Sequence, residues 1–277
     1  MLWKTRTREL DLSSRALVMG VLNVTANSFS DGGQFLNLAP ALEHARAMQE
    51  AGADIIDVGG ESTRPGAEPV ELEEELRRVL PVVECLSGDP RCLVSIDTMK
   101  PAVARAAIGR GAEIINDVTG LRDPAMREVV RATGAGAIAM HMQGTPRTMQ
   151  IEPRYEDVVA EVREFFRQTL DACLGCGINP NRLAFDPGIG FGKTVAHNLR
   201  LLANLQTLRV GGRPLVLGVS RKSFIGKVLG SNALEDRAWP TVALTSYGRA
   251  AGVSVVRVHD VRPNVEALRM TEAILAR

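Results

Sequence analysis

The segment 112–142, AEIINDVTGLRDPAMREVVRATGAGAIAMHM, contains the unit that decides the fold. Its first part, AEIINDV (112–118), is short, apolar and rich in β-branched residues, as expected of a buried strand. Asp123 and Pro124 then form a helix start, and a second apolar run, GAIAMHM (136–142), follows. Two strands joined through one helix predict a parallel βαβ unit.

The same unit recurs on both sides of this segment. The eight predicted strands are 16–24, 54–60, 92–98, 112–118, 136–142, 182–188, 214–220 and 254–260. A helical pattern follows each strand, and the last helix is predicted at 263–276. Eight alternating units in about 250 residues match the size of a (β/α)8 TIM barrel. A doubly wound sheet is the alternative, but it more often has about five to seven strands, and the chain lacks a dinucleotide-binding fingerprint. We therefore predict an α/β fold, with residues 1–277 forming one (β/α)8 barrel domain.

Composition excludes several classes of protein. The chain has 277 residues and a net charge of +1, so it has no strong field to attract nucleic acid or an acidic membrane. No apolar run reaches the roughly 18 residues of a membrane span. The segment MLWKTRTREL (1–10) lacks the apolar centre of a signal peptide, which favours a cytoplasmic protein. Cys173 and Cys176 have C-x-x-C spacing, but no second pair or histidine completes a zinc site, so we expect reduced structural thiols.

The stretch AFDPGIGFGKT (184–194) looks like a phosphate-binding loop because it ends in Gly-Lys-Thr. The P-loop pattern requires a glycine five residues before Gly192, and this position is Pro187. Proline has no backbone N–H and cannot replace that glycine. The stretch therefore predicts a strand that ends at Asp186 and continues into a sharp glycine-rich turn.

Polar side chains stand at or just after the end of nearly every predicted strand. In a TIM barrel these ends form the face that carries the active site, so the side chains would converge there, although any single one could be polar only because it meets water. Groups suited to the edges of a flat heterocycle are Asp97, Asn116, Asp186 and Lys222. Groups suited to a phosphate-type anion are Thr63, Arg64, Arg257 and His259. Asn23 offers an oxygen ligand of the kind that Mg²⁺ prefers.

Seven segments, taken together and in this order, resemble the motif series of the dihydropteroate synthase family. They are GVLNVTANSFSDGG (20–33), DVGGESTRPGA (57–67), SIDTMKP (95–101), INDVTG (115–120), DPGIGFGK (186–193), GVSRKSFIG (218–226) and VRVHDV (256–261). The resemblance covers about residues 16 to 268. It implies a (β/α)8 barrel that joins 6-hydroxymethyl-7,8-dihydropterin diphosphate to p-aminobenzoate, giving 7,8-dihydropteroate and diphosphate for folate synthesis. It also implies a Mg²⁺ ion and a homodimer.

The resemblance implies roles for individual residues. The pterin would be held by Asp97, Asn116, Asp186 and Lys222, with Met140 packed nearby. The diphosphate would be held by Thr63, Arg64, Arg257 and His259, with Asn23 as the Mg²⁺ contact. The p-aminobenzoate pocket would be formed by Phe29, Pro65, Phe191 and Ser223. The residues expected to support catalysis are Asp31, Arg64, Lys222, Arg257 and His259.

Two other functions remain open on the residues. One is a pterin-binding barrel that transfers a methyl group to a corrinoid partner, and the other is a catalytically inactive barrel that only binds pterin. The segments Ser30–Gly33 and Ser62–Pro65 favour the synthase over the methyltransferase. An inactive barrel would have lost Asp97, Arg64 or Lys222, and the chain has all three. One departure from the family pattern is Ala26-Asn27, where the family usually has Pro-Asp.

Overall fold

The structure, a computed structural model, describes residues 1–25, 38–63 and 66–277. It begins with an antiparallel hairpin, β1 (Leu2–Lys4) and β2 (Glu9–Asp11), which the sequence pattern does not predict. Trp3 is fully buried against the inner side chains of the following sheet, and its Nε1–H donates to the carbonyl oxygen of Arg182 at 3.0 Å. The hairpin therefore closes the amino-terminal end of that sheet.

Eight parallel strands form a closed barrel. They are β3 (Leu17–Asn23), β4 (Ile55–Gly59), β5 (Leu93–Asp97), β6 (Ile114–Asp117), β7 (Gly136–Met140), β8 (Leu183–Asp186), β9 (Val216–Leu217) and β10 (Val255–Val258). Their order around the sheet is β8-β7-β6-β5-β4-β3-β10-β9. A parallel bridge between Phe185 and Leu215 joins the two edges, and the Phe185 N–H donates to the Pro214 carbonyl at 3.0 Å. The predicted (β/α)8 fold is confirmed.

Helices surround the barrel. Those in the described ranges are α1 (Leu38–Glu50), α2 (Leu72–Ser87), α3 (Pro101–Gly109), α4 (Pro124–Thr133), α5 (Val158–Gly175), α6 (Val195–Ala203), α7 (Ser223–Leu229), α8 (Ala238–Ala250) and α9 (Val261–Leu275). Within these ranges, no helix combines the length and the apolar character that a membrane crossing needs.

Two features of the helices differ from the sequence prediction. The short helix α7, between β9 and α8, is not predicted, so β9 is followed by two helices rather than one. A proline inside a helical pattern predicts a kink or break at Pro81, yet α2 continues through it as one helix. Val79, Val82 and Val83 around the proline are buried in the outer core. Burying each valine contributes about 1.5 kcal/mol or more, which offsets the roughly 3 kcal/mol that an internal proline costs.

Side chains alternate along each strand between the helices outside and the barrel interior. On β4, Ile56 and Val58 pack in the outer core, Ile55 packs in the inner core, and Asp57 occupies the next inward position. The inward positions are therefore apolar near the amino ends of the strands and polar near the carboxyl ends. This change along the barrel axis places polar side chains at one end of the molecule.

Candidate active site

Four polar side chains from four strands meet at the carboxyl end of the barrel. Arg257, on β10, donates from Nε to Asp57 Oδ2 and from Nη2 to Asp97 Oδ2, both at 2.7 Å. Asp57 Oδ2 also accepts the Nδ2–H of Asn116 at 3.0 Å. Because β4, β5 and β6 are neighbouring strands, Asp57, Asp97 and Asn116 form one hydrogen-bonded group with Arg257. We call these four residues the carboxylate cluster.

Two carboxylate oxygens of the cluster lack a hydrogen-bond donor among the described residues. The Oδ1 atoms of Asp57 and Asp97 are buried and have no hydrogen-bond partner in the described part of the chain. Burial raises the pKa of the Asp97 carboxyl to about 7, although the Arg257 charge acts in the opposite direction. A buried acceptor without a donor is unfavourable until one reaches it. The cluster is therefore suited to accept N–H groups from a polar ligand.

Asp186 and Lys222 form the opposite edge of the site. Asp186 Oδ1 accepts the Gly188 N–H at 2.7 Å, and burial raises the pKa of its carboxyl. Lys222 Nζ donates to the Ile189 carbonyl and lies 4.5 Å from the centre of the Phe191 ring, and burial lowers its pKa to about 8. A methyl group added at Gly218 would lie 3.4 Å from Asp186 Oδ2 and 3.9 Å from Lys222 Nζ. Gly218 therefore leaves open the space that these two charged groups face.

Met140 lies beside this edge. It is buried with Val118, Met142 and Met149, and Phe191 packs against the same group. Its strand position is in register with Asp186. An apolar surface thus borders the polar edge, which suits a ring with flat faces and polar edges.

The glycine-rich turn after β8 has its own internal lysine. Lys193 is 3% exposed, and its Nζ donates to the carbonyls of Gly188 at 3.0 Å and Phe191 at 2.9 Å. The same Nζ lies 3.0 Å from His141 Nδ1. Burial lowers the pKa of Lys193 well below its usual value and the pKa of His141 to about 2. Lys193 therefore braces the turn, which agrees with the prediction that the stretch is not a phosphate-binding loop.

The residues predicted for the anion side lie around the same rim. His259 follows β10, and its Nδ1 is 2.9 Å from the Ser220 Oγ, which also accepts the His259 N–H at 3.1 Å. Asn23 ends β3, and a methyl group added at Gly59 would lie 3.8 Å from Asn23 Oδ1 and 3.7 Å from Asp97 Oδ2. Asn23 is therefore next to the carboxylate cluster.

The structure also places three other predicted site residues, Arg257, Ser223 and Thr63. The guanidinium of Arg257, expected at the diphosphate, has both of its charged contacts with carboxylates of the heterocycle side. Ser223 is exposed as the first residue of α7, and Thr63 is half-buried at the end of a described range. Arg257 reaches these carboxylates because only β3 separates its strand β10 from β4 in the sheet, and two buried carboxylates need a cation.

Four predicted residues, Phe29, Asp31, Arg64 and Pro65, lie outside the described residues. Among the residues that the structure describes, no group of three or more His, Cys, Asp or Glu side chains could hold a metal ion. Asn23 can supply one amide oxygen, so a Mg²⁺ ion at this rim would need most of its ligands from substrate oxygens and water.

Sequence reasoning missed Asp57, which has no exposed surface and joins Asn116 to Arg257. A signal was present in the strand DIIDVGG, because Asp57 stands two residues after Ile55 and therefore faces the barrel interior. A carboxylate at an inward position of a barrel strand requires a partner, and this requirement identifies the position before the structure is known.

Comparisons with known proteins agree with this geometry. Residues 19–259 match the family model described as pterin binding enzyme. The dihydropteroate synthase of Escherichia coli (strain K12) is 48% identical over 96% of this chain and 94% of its own length. The structure of Burkholderia cenocepacia dihydropteroate synthase complexed with 7,8-dihydropteroate has a TM-score of 0.90 and 43% identity, covering 99% of this chain and 96% of that one. The Xanthomonas albilineans enzyme with 4-aminobenzoic acid has a TM-score of 0.90 and 44% identity, covering 98% and 96%. The chain therefore belongs to the dihydropteroate synthase family of pterin-binding transferases.

Proposed function

We propose that this protein condenses 6-hydroxymethyl-7,8-dihydropterin diphosphate with p-aminobenzoate, giving 7,8-dihydropteroate and diphosphate. The observation that carries the proposal is the meeting of Asp97, Asn116, Asp186 and Lys222 at one rim, with a buried, unpaired carboxylate oxygen on Asp97. The relatives whose structures contain 7,8-dihydropteroate or 4-aminobenzoic acid support the same substrates for this chain.

The pterin ring matches the two polar edges of the site. An aminopyrimidine edge presents adjacent N–H donors, which a carboxylate such as Asp186 can accept as a pair. Asn116 donates its Nδ2–H to Asp57, so its Oδ1 is left as the acceptor that can face a ligand. Lys222 supplies a donor for a ring nitrogen or carbonyl oxygen. The ring would therefore be gripped at both edges, with Met140 near one face.

The chemistry is a substitution at the methylene carbon of the pterin. The C–O bond to diphosphate breaks with its electron pair leaving on the diphosphate, and positive charge develops on the methylene carbon. The amine nitrogen of p-aminobenzoate then forms the C–N bond and loses a proton to water. The neutral arylamine is already nucleophilic, so the protein's tasks are to orient the two substrates and to stabilise the charges.

The cationic side of the rim would stabilise the departing diphosphate. Arg257 and His259 are described by the structure, whereas Arg64 and Asp31 take their proposed roles from the family resemblance. Arg64 would neutralise the diphosphate, and Asp31 would stabilise the cationic carbon. Mg²⁺ would add charge neutralisation at the diphosphate, with Asn23 as its protein ligand. The single amide oxygen of Asn23 fits an ion that keeps several waters and phosphate oxygens.

The p-aminobenzoate would bind beside the pterin, next to Phe191 and the start of α7. Phe191 lies under the Lys222 ammonium and borders the Met140 group, so its ring can pack against an arylamine. Ser223 begins α7 and is exposed to an incoming ligand. Phe29 and Pro65 would complete this slot by resemblance.

A direct assay tests the proposal. The purified protein is incubated with the pterin diphosphate, p-aminobenzoate and Mg²⁺, and the products are separated by chromatography and mass spectrometry. We expect 7,8-dihydropteroate and an equal amount of diphosphate, and at least a tenfold weaker pterin affinity in Asp97→Ala. Pterin binding without product would indicate an inactive pterin-binding barrel. Transfer of a methyl group to a corrinoid protein in place of condensation would indicate the methyltransferase.

We also propose that the enzyme is a homodimer that works in the cytoplasm. Trp239 on α8 and Met270 and Ile274 on α9 are each at least 66% exposed, and α8 packs on α9. Such large exposed apolar side chains on adjacent helices mark an interaction surface. All four cysteines lie within the described residues and are free thiols, as expected in a reducing compartment.

Sedimentation velocity tests the homodimer. We expect a dimer of the wild-type chain at micromolar concentration and a monomer of Met270→Glu, because a charge at the contact must be desolvated. Val228→Glu, at an exposed apolar position on α7, serves as the control and should stay dimeric. A monomeric wild type would exclude this assembly.

A further inference from the structure

The turn after β9 holds Lys222 through an unusual backbone conformation. Arg221 has φ +56°, in the left-handed region that a residue with a side chain rarely adopts. Its N–H donates to Thr241 Oγ1 at 3.1 Å, and the Arg237 Nη1 donates to its carbonyl at 3.2 Å. The conformation of this one residue decides the direction in which the chain enters Lys222 and α7.

The side chain of Arg221 forms a two-pronged ion pair with Asp260. Nε donates to Asp260 Oδ2 at 2.8 Å, and Nη2 donates to Oδ1. Asp260 is the residue before α9, where an aspartate ordinarily caps its helix through its side chain, but here it makes no such bond. Both carboxylate oxygens bind Arg221 instead, so α9 lacks its side-chain cap while the turn gains a partner.

The residues beside this ion pair belong to the site. Lys222 follows Arg221, and His259 precedes Asp260. Ser220 Oγ accepts the His259 N–H at 3.1 Å and lies 2.9 Å from its Nδ1. Two adjacent links, Ser220 to His259 and Arg221 to Asp260, therefore join the segments that follow β9 and β10.

We infer that Arg221 and Asp260 are positioning residues, whose ion pair holds the left-handed turn that brings Lys222 into the site and fixes this turn against His259. The inference rests on the proposed function of the site, and it assigns neither residue a contact with substrate. The ion pair is needed because any side chain with a Cβ atom disfavours this backbone conformation. A glycine at position 221 adopts the conformation without help.

This difference between alanine and glycine gives the test. We expect Arg221→Ala to lower kcat/KM at least tenfold and to raise the Kd for the pterin diphosphate, measured by calorimetry without p-aminobenzoate. Arg221→Gly should recover most of that loss. Asp260→Asn should lower kcat/KM strongly in the wild-type protein. It should lower kcat/KM little further in Arg221→Gly, because the ion pair is then no longer needed.

Glu152→Ala is the matched control. Glu152 also has a left-handed φ of +45° and pairs with Arg154, but both side chains are largely exposed. Its kinetic constants should not change, and thermal melts establish that every variant is folded. The inference is overturned if Arg221→Gly is as impaired as Arg221→Ala, because the guanidinium itself would then be required. Additive effects of Asp260→Asn and Arg221→Gly would overturn it as well.

Crystal structures of the wild type and Arg221→Ala provide a readout that needs no substrate. The distance from Lys222 Nζ to the Phe191 ring centre is 4.5 Å in the intact turn, and we expect it to lengthen in the variant. An unchanged distance would overturn the inference. A wild-type protein that makes no 7,8-dihydropteroate would instead overturn the proposed function and leave this structural result standing.

Discussion

Lys222 is a buried ammonium group at the centre of the proposed chemistry, and burial lowers its pKa to about 8. Below that pH the free protein carries the charge that can donate to the pterin, and above it the charge is lost. We therefore expect kcat/KM to fall as the pH rises through about 8. The profile is measured from about pH 6 to pH 10, because kcat/KM reports the ionisation of the free enzyme.

Lys222→Arg tests whether loss of the Lys222 charge causes the fall in kcat/KM. Arginine stays protonated over the whole range, so the variant should lose the decline near pH 8 even if its affinity is lower. Unfolding does not explain the decline. An unfolded lysine has a pKa near 10.5, so between about pH 8 and 10.5 the unfolded chain binds more protons, and this group's contribution to stability rises with pH. A decline of equal size in Lys222→Arg would assign it to another group.

Asp57 is the residue whose charge joins the two halves of the carboxylate cluster. Asp57→Asn keeps the shape of the side chain but removes the charge that faces Arg257 and Asn116. We expect the pterin Kd to rise about tenfold and the free energy of unfolding to fall by about 2 kcal/mol. This loss is smaller than the roughly 3–5 kcal/mol for a fully broken buried pair, because Asp97 still contacts Arg257. Calorimetry and urea titration measure the two effects.

Asp89→Asn is the control for Asp57→Asn. Asp89 pairs with the exposed Arg91 away from the rim, so Asp89→Asn should leave the free energy of unfolding and the pterin affinity close to those of the wild type. Wild-type pterin affinity in Asp57→Asn would show that the carboxylate does not organise the site.

At the scale of the element, the turn after β8 depends on close backbone contact. Gly188 has φ +63°, and a Cβ atom there would lie 1.9 Å from the His141 carbonyl oxygen. Gly188→Ala should therefore displace the turn. The free energy of unfolding should fall by at least about 3 kcal/mol, and most of the pterin binding should be lost. Gly212→Ala is the control, because it has φ +68° and nothing within 4 Å, so it should cost only about 1 kcal/mol. Equal losses would show that conformation alone, and not space, requires Gly188.

The elements that the sequence predicted are those whose packing is periodic. The eight strands were predicted from short continuous apolar runs, and most of the helices from apolar residues that repeat at the spacing of one buried face. The hairpin β1–β2 was missed because each strand has three residues, too few to show alternation. Helix α7 was missed because it has only seven residues and begins directly after the turn at Arg221 and Lys222. Short elements form because of their contacts with the barrel, and the local sequence does not reveal those contacts.

The site, too, has residues that the sequence predicts and contacts that it does not. Asp97, Asn116, Asp186 and Lys222 could be selected because the barrel topology brings all strand ends to one rim. The partners of Arg257 could not be selected, because they depend on which side chains face each other across the barrel mouth. The left-handed turn at Arg221 was equally hidden, since arginine is not a residue that predicts positive φ.

In the whole molecule, the apolar residues that stabilise the fold and the polar residues of the site lie at opposite ends of the barrel axis. The inner core near the amino end of the strands is apolar and is closed by Trp3, whereas the carboxyl end carries ionisable side chains, and their burial lowers the pKa of Lys222 and raises that of Asp97. Buried and unpaired carboxylate oxygens at the site are unfavourable for folding, and the apolar end offsets them. Changes at the two ends should therefore have different consequences.

Trp3→Ala tests this separation. Removing a fully buried indole and its hydrogen bond to Arg182 should lower the free energy of unfolding by about 3–5 kcal/mol, measured by urea titration. At a temperature where the variant is still folded, kcat/KM should stay within about twofold of wild type, because the strands that carry the site keep their register. Leu2→Ala, at the neighbouring and 47% exposed position, should change stability by less than about 1 kcal/mol. A loss of activity in folded Trp3→Ala would mean that the hairpin sets the geometry of the opposite rim, and the two ends of the barrel would then be coupled rather than independent.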